Sequence, residues 1–105
     1  MSTTISSIEK QIMRIQRTLA ALGPMRPGAL HRQYKEPAKK QGAYWQISYT
    51  HKMRSRSEYV RAEHLGVVRT ELANFRKFRL LTGRWIELSP ELSRLKRKPP
   101  RQDKA

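Results

Sequence analysis

The sequence predicts an α+β fold: an N-terminal helix, a Pro/Gly-rich loop, a β-hairpin or small antiparallel sheet, and a long C-terminal helix ending in a disordered basic tail. Three observations carry that prediction. Apolar residues recur at heptad spacing near the N-terminus, polarity alternates with period two between residues 44 and 60, and the helical period returns after residue 61. One small domain over residues 1–98, with a flexible tail over 99–105, accounts for all 105 residues.

The first element is the most regular. Ile5, Ile8, Ile12, Ile15, Leu19 and Leu22 are separated by steps of three and four, the seam of a helix from about residue 5 to 22. Ser6-Ser7-Ile8-Glu9 fits a capping box, and Gly23-Pro24 stops the helix at its other end. So narrow a stripe serves either an internal core or a coiled coil with another chain. Residues 23–43 then hold three Pro and three Gly among basic side chains, which predicts a loop of turns and extended backbone.

Between Tyr44 and Val60 the alternation predicts two strands that turn near His51-Lys52-Met53, without the Asn-Gly or Asp-Gly pair that favours a tight turn. One face carries Trp45, Ile47, Tyr49, Arg54, Arg56 and Val60; the other carries Tyr44, Gln46, Ser48, Ser55, Ser57 and Tyr59.

Beyond Arg61, Leu65, Val68, Leu72 and Phe75 form one stripe, continued by Phe78, Leu81, Trp85, Leu88, Leu92 and Leu95. The step from Phe75 to Phe78 repeats a three, a stammer that overwinds the seam or rotates the apolar face. Ser89-Pro90-Glu91 reads as a stop and a new start, so a helix from about 62 to 88 and a short one over about 90–97 are expected. The tail from Lys96, with Pro99-Pro100 and five basic residues, has too little to bury to become ordered. The two long helices are expected to flank the hairpin as an antiparallel pair, with Ile8, Ile12, Ile15 and Leu19 on Leu65, Val68, Leu72 and Phe75, and the hairpin capping one end. That arrangement leaves the Phe78, Leu81, Trp85 and Leu88 stripe for a second copy or a protein partner.

Twenty-three Lys and Arg against eight Asp and Glu give a net charge of +15, well beyond an ordinary small domain and suited to a polyanion. The excess is +2 over residues 1–22, +6 over 23–60, +6 over 61–98 and +1 in the tail, so it belongs to folded elements. Candidate nucleic-acid contacts are Arg26, Arg32, Lys39, Lys40, Lys52, Arg54, Arg56, Arg76, Lys77, Arg79 and Arg84. A two-stranded ribbon fits the DNA major groove, where Arg54 and Arg56 are expected to read bases while Lys77 and Arg84 hold phosphates. With Trp45, Ile47 and Val60 packed inward, Gln46, Ser48, Ser55 and Ser57 face solvent, and Arg54 and Arg56 reach around the strand edge.

Several chemistries lack their residues. Without Cys there are no disulfides, thiolate zinc sites or Cys nucleophiles. There is no Gly-rich phosphate loop and no His-Glu-x-x-His, and the Ser residues have no candidate base nearby. His31 and His51 lack further ligands at metal spacing, and Glu63 and His64 are neighbours that point to different sides of a helix. The N-terminus has no secretory signature and no stretch is apolar enough to span a membrane. A cytoplasmic protein with no enzymatic activity, cofactor, metal, membrane anchor or small-molecule substrate is the expectation.

The stretch from Gly23 to Tyr34, with Gly42-Ala43-Tyr44-Trp45, Arg54-Ser55-Arg56, Tyr59-Val60 and the Asn74-to-Arg79 segment, resembles an uncharacterised family of small bacterial proteins encoded beside transposases. The likeness covers most of residues 8–90. Members of that family carry a Cys-rich, zinc-type segment where this chain has residues 35–41, and Gly-Gly where it has Lys52-Met53. The resemblance therefore implies a mobile-element context and nucleic-acid association, and the family's metal role does not transfer to this chain. More loosely, the order of hairpin and helix is similar to the arm-type DNA-binding domains of tyrosine recombinases. Three functions fit: a duplex-DNA-binding accessory protein, the leading reading; an RNA or ribonucleoprotein binder, which the same charge supports equally; and a coiled-coil adaptor docking on a transposase or other nucleoprotein.

Overall fold

The computed structural model describes residues 4–98; the expected tail over 99–105 lies outside the described residues. The chain runs α1 (Ile5–Ala21), β1 (Ala29–Glu36), β2 (Gln41–His51), β3 (Arg54–Val60), one 3₁₀ turn (Ala62–His64) and α2 (Leu65–Arg97). The architecture is α+β, as expected. Contacts divide it into two compact units: a helix pair, made of residues up to Leu22 and from Phe78 onward, and a sheet unit over Gly23–Lys77. The stammer between Phe75 and Phe78 falls at that division.

In the helix pair, α1 begins at Ile5, as the sequence suggested, but its cap lies two residues before the expected Ser6. Thr4 has extended backbone dihedrals and its hydroxyl accepts the Ser7 N–H at 3.0 Å, so Thr4 and not Ser6 is the N-cap. Ile8, Ile15 and Leu88 form the buried core, with Ile12, Leu19, Leu81, Trp85, Leu92 and Leu95 packed around them. The pairing is antiparallel: Lys96 near the end of α2 reaches Glu9 at 3.6 Å, while Arg84 donates to Gln11 at 3.2 Å. The partner of α1 is thus the second half of α2, not Leu65, Val68, Leu72 and Phe75. Steps of four and three link Leu81, Trp85, Leu88, Leu92 and Leu95, which match the steps of α1 and make a complementary seam. Leu81, Trp85 and Leu88, expected to await a second copy, are covered by this pairing.

That pairing also explains a second correction. No break separates helices at 62–88 and 90–97, because α2 runs through Ser89 and Pro90 to Arg97. A proline inside a helix costs about 3 kcal/mol. Burying Leu88, Leu92 and Leu95 along α1 offsets this, at roughly 1.5–3 kcal/mol for each fully buried side chain. Ser89, instead of capping a new helix, donates its hydroxyl to the Trp85 carbonyl at 2.9 Å.

In the sheet unit, the supposed loop over 23–43 contains a strand. β1 pairs antiparallel with β2, and β2 with β3, giving the order β1-β2-β3. Pro37 lies in the turn and Gly42 has a φ of 69° beside it, so neither interrupts β1. Leu30, Ile47 and Glu58 stand opposite one another across the strands, as do Arg32, Trp45 and Val60. Ile47 and Val60 are buried against Val68 and Leu72 of α2, with Leu30, Trp45, Tyr49 and Leu65 around them. Gly28 enters β1 at φ 137°, where a Cβ would stand 2.6 Å from Ile47 Cγ2; only glycine permits this approach. The residues before it lie along the unit's own helix: Arg26 donates its backbone N–H to the Glu71 carbonyl at 3.2 Å and Asn74 donates to the Pro24 carbonyl at 2.8 Å.

The hairpin turns where expected. His51 pairs with Arg54 across Lys52 and Met53, whose φ values are 52° and 63°. Positive φ at both central residues is the type I′ geometry that follows strand twist, adopted here without glycine.

Candidate nucleic-acid interface

Because side chains alternate, the two faces of the sheet have opposite characters. The face on α2 carries Leu30, Trp45, Ile47, Tyr49 and Val60. The other carries His31, Gln33 and Lys35 from β1, Tyr44, Gln46, Ser48 and Thr50 from β2, and Ser55, Ser57 and Tyr59 from β3. No acidic residue occupies a register position on this open face, and none of its residues is fully buried. Gln46 lies in its middle row between His31 and Tyr59. The Tyr44 and Tyr59 rings stand 6.3 Å apart at 43°. Three strands span roughly 10 Å, and the eleven residues of β2 extend roughly 35 Å from the Lys39-Lys40 turn to the Lys52 turn.

The sheet unit holds twelve Lys and Arg against four Glu. Three of the cations are in ion pairs: Arg26 with Glu58 at 3.1 Å, Lys39 with Glu36 at 3.8 Å and Arg61 with Glu63 at 3.7 Å. The other nine have no ion pair among the described residues. Surface pairs such as Lys39–Glu36 contribute little and yield readily to a stronger anion.

Of the eleven expected contact residues, Lys39, Lys40 and Lys52 occupy the two sheet turns and are exposed. Arg54 and Arg56 are exposed too, but their register positions share a face with Ile47 and Val60. Arg32 lies 5.8 Å from the Tyr34 ring and 6.0 Å from Trp45. Arg76 and Lys77 are exposed on the sheet unit's share of α2, whereas Arg79 and Arg84 belong to the helix pair. The eleven residues therefore divide between the two units.

Arg26 has a different environment. Its guanidinium reaches Glu58 and stands 4.9 Å from the Tyr49 ring, while Tyr49 donates its hydroxyl to Glu58 at 2.7 Å. The Tyr49 hydrogen bond, then that of Arg26, holds the Glu58 carboxyl below the usual carboxylate range. In turn, the hydrogen bond to Glu58 pushes the Tyr49 phenol up, since ionisation would break it. This group clamps the extended chain onto the sheet, so Arg26 acts first as a structural cation.

Sequence reasoning missed Arg69, which lies 5.1 Å from the Trp45 ring, and the β1 side chains His31, Gln33 and Lys35. The alternation of Leu30, Arg32 and Tyr34 was the available signal for β1. Among the described residues there is no group of three or more His, Cys, Asp or Glu arranged to hold a metal. Within those residues, no helix is long and apolar enough to cross a membrane. Comparison with known protein families, curated proteins and solved structures finds no match to this chain.

Proposed function

We propose that this protein is a non-enzymatic, nucleic-acid-binding accessory protein that grips duplex DNA through its sheet unit. The observation supporting this most is the open sheet face, polar and without an acidic side chain, with basic turns at both ends. A face roughly 10 Å across suits the B-DNA major groove, about 12 Å wide, better than the deep, narrow major groove of A-form RNA. Lys39, Lys40 and Lys52 then hold phosphates. The mobile-element setting rests on the resemblance of residues 23–34 and their neighbours. An RNA-binding role draws on the same charge and on the tyrosine pair, which can stack on exposed bases.

Fluorescence anisotropy with a labelled 20-base-pair duplex, its single strand and an RNA hairpin at one salt concentration tests the reading. Duplex DNA is expected to bind at least tenfold more tightly than the RNA. An RNA preference of tenfold or more would overturn the choice of partner, and equal, negligible binding to all three would overturn the function.

A further inference from the structure

We infer that sequence discrimination resides on the open sheet face, where Gln33, Gln46 and Tyr59 read adenine–thymine pairs from the major groove, and not in the hairpin arginines. This inference rests on the duplex-DNA reading and deepens it.

The first ground is the register. Gln46 is on the central strand, flanked by His31 and Tyr59, and Gln33 stands beside Tyr44 in the next row. Both glutamines are partly exposed, and no hydrogen bond among the described residues engages either side chain. Their amides keep both a donor and an acceptor available. A carboxamide meets adenine with two hydrogen bonds, donating to N7 and accepting from the N6 amino group. The Tyr59 ring, 66% exposed, offers an apolar edge to a thymine methyl.

The second ground is what the face lacks. Guanine is read most often by arginine through O6 and N7. Yet Arg32, Arg54 and Arg56, the arginines of the three strands, all have register positions on the α2-packed face. Arg61 follows β3 and is held by Glu63 at 3.7 Å. Lys35, between Tyr34 and Glu36 near the end of β1 and with its side chain against Gly42, is the one lysine at a strand position on the open face. The surface able to reach base edges thus carries amide chemistry, while the register positions of the strand arginines lie on the opposite face.

The test begins by enriching bound duplexes from a pool with 12 randomised base pairs. The enriched duplex is then remade with 7-deazaadenine for adenine, or with deoxyuridine for thymidine. These changes remove the N7 acceptor or the thymine methyl and leave every phosphate in place. An adenine-containing consensus is expected, with 7-deazaadenine weakening binding about 5- to 150-fold, the range of one bidentate base contact. In Gln46→Ala or Gln33→Ala, each at a partly exposed position, that ratio should shrink toward one. Arg54→Ala and Arg56→Ala should weaken both duplexes by the same factor and leave the ratio intact. Tight, salt-sensitive binding with no adenine-containing consensus, or with no response to 7-deazaadenine, would overturn the inference and leave the duplex reading standing. Failure to bind any duplex would overturn both.

Discussion

In the helix pair, two heptad stripes meet along one seam, and Ile8, Ile15 and Leu88 disappear between them. The sheet unit buries four side chains, Ile47, Val60, Val68 and Leu72, yet among its own described residues no element packs on the second face of its sheet. The share of paired cations does not separate the units: Glu9 and Glu87 engage Lys96 and Arg84 within the helix pair, where Lys10, Arg14, Arg17, Arg94, Arg97 and Lys98 have no ion pair among the described residues, just as nine cations of the sheet unit have none. The difference teaches that an apolar stripe and a polar face serve different ends: the first is used up in folding, while the second is the surface proposed above to meet a polyanion.

The largest effect that could break this contrast is electrostatic. With roughly 6–10 phosphates neutralised, affinity for duplex DNA should fall about 10³- to 10⁵-fold between 50 and 200 mM monovalent salt. Replacing Lys39, Lys40 and Lys52 by Ala together should flatten the logarithmic salt slope by about three. Replacing Arg84, Arg94 and Lys98 should change it by less than about one. Equal changes would mean that both units bind phosphate alike.

Next in size are the cores. Ile47→Ala and Ile8→Ala each empty a nearly or fully buried site, at an expected cost of about 2–5 kcal/mol. Trp45 lies in the sheet unit and Trp85 in the helix pair, so Trp45→Phe and Trp85→Phe backgrounds report the units separately. Denaturant melts should show Ile47→Ala acting first on the Trp45 signal and Ile8→Ala first on the Trp85 signal. Identical midpoints for both signals in both variants would show one cooperative structure.

A smaller effect, of opposite sign, belongs to the hairpin turn. Met53, at φ 63° and almost wholly exposed, loses no packing on becoming glycine. Relief of left-handed strain exceeds glycine's entropic cost, so Met53→Gly should stabilise by about 0.5–1 kcal/mol in thermal melts. The smallest effect is a pH dependence. Glu58 has a lowered pKa in the fold, so its contribution is present above the unfolded carboxylate value and fades as pH falls through the folded one. Tyr49, with its pKa raised, contributes below the ordinary phenol value and loses that contribution as pH rises through the folded value. The Tm of the native chain should drop slightly more between pH 6 and pH 3 than that of Glu58→Gln, with solvent screening the exposed pair.

Much of the fold was legible where periodicity is long. Six residues at heptad spacing defined α1, and the alternation through 44–60 placed each of the twelve residues it assigned on its observed face. β1 was less legible because it offers only Leu30 and Tyr34 as large apolar residues on its inner face, between glycines and prolines that proved to lie at its margins. Ser89-Pro90 carries a genuine local stop signal, overridden by burial of Leu88 and Leu92 on α1, which no local pattern reveals. The choice of α2's second half as partner was readable in principle, from the matched four-three steps of Leu81 to Leu95. Within the candidate interface, Lys39, Lys40 and Lys52 could be named from charge and turn position. Gln33 could not be placed before β1 itself was seen.

The most direct measurement of the central claim is an amide chemical-shift titration of the ¹⁵N-labelled chain with a 20-base-pair duplex. The largest perturbations should fall on β1, β2 and β3, around Gln33, Gln46 and Tyr59 and on the Lys39-Lys40 and Lys52 turns, with smaller changes over 5–21 and 78–97. Perturbations centred on α1 and the second half of α2, with the sheet amides unmoved, would contradict the account.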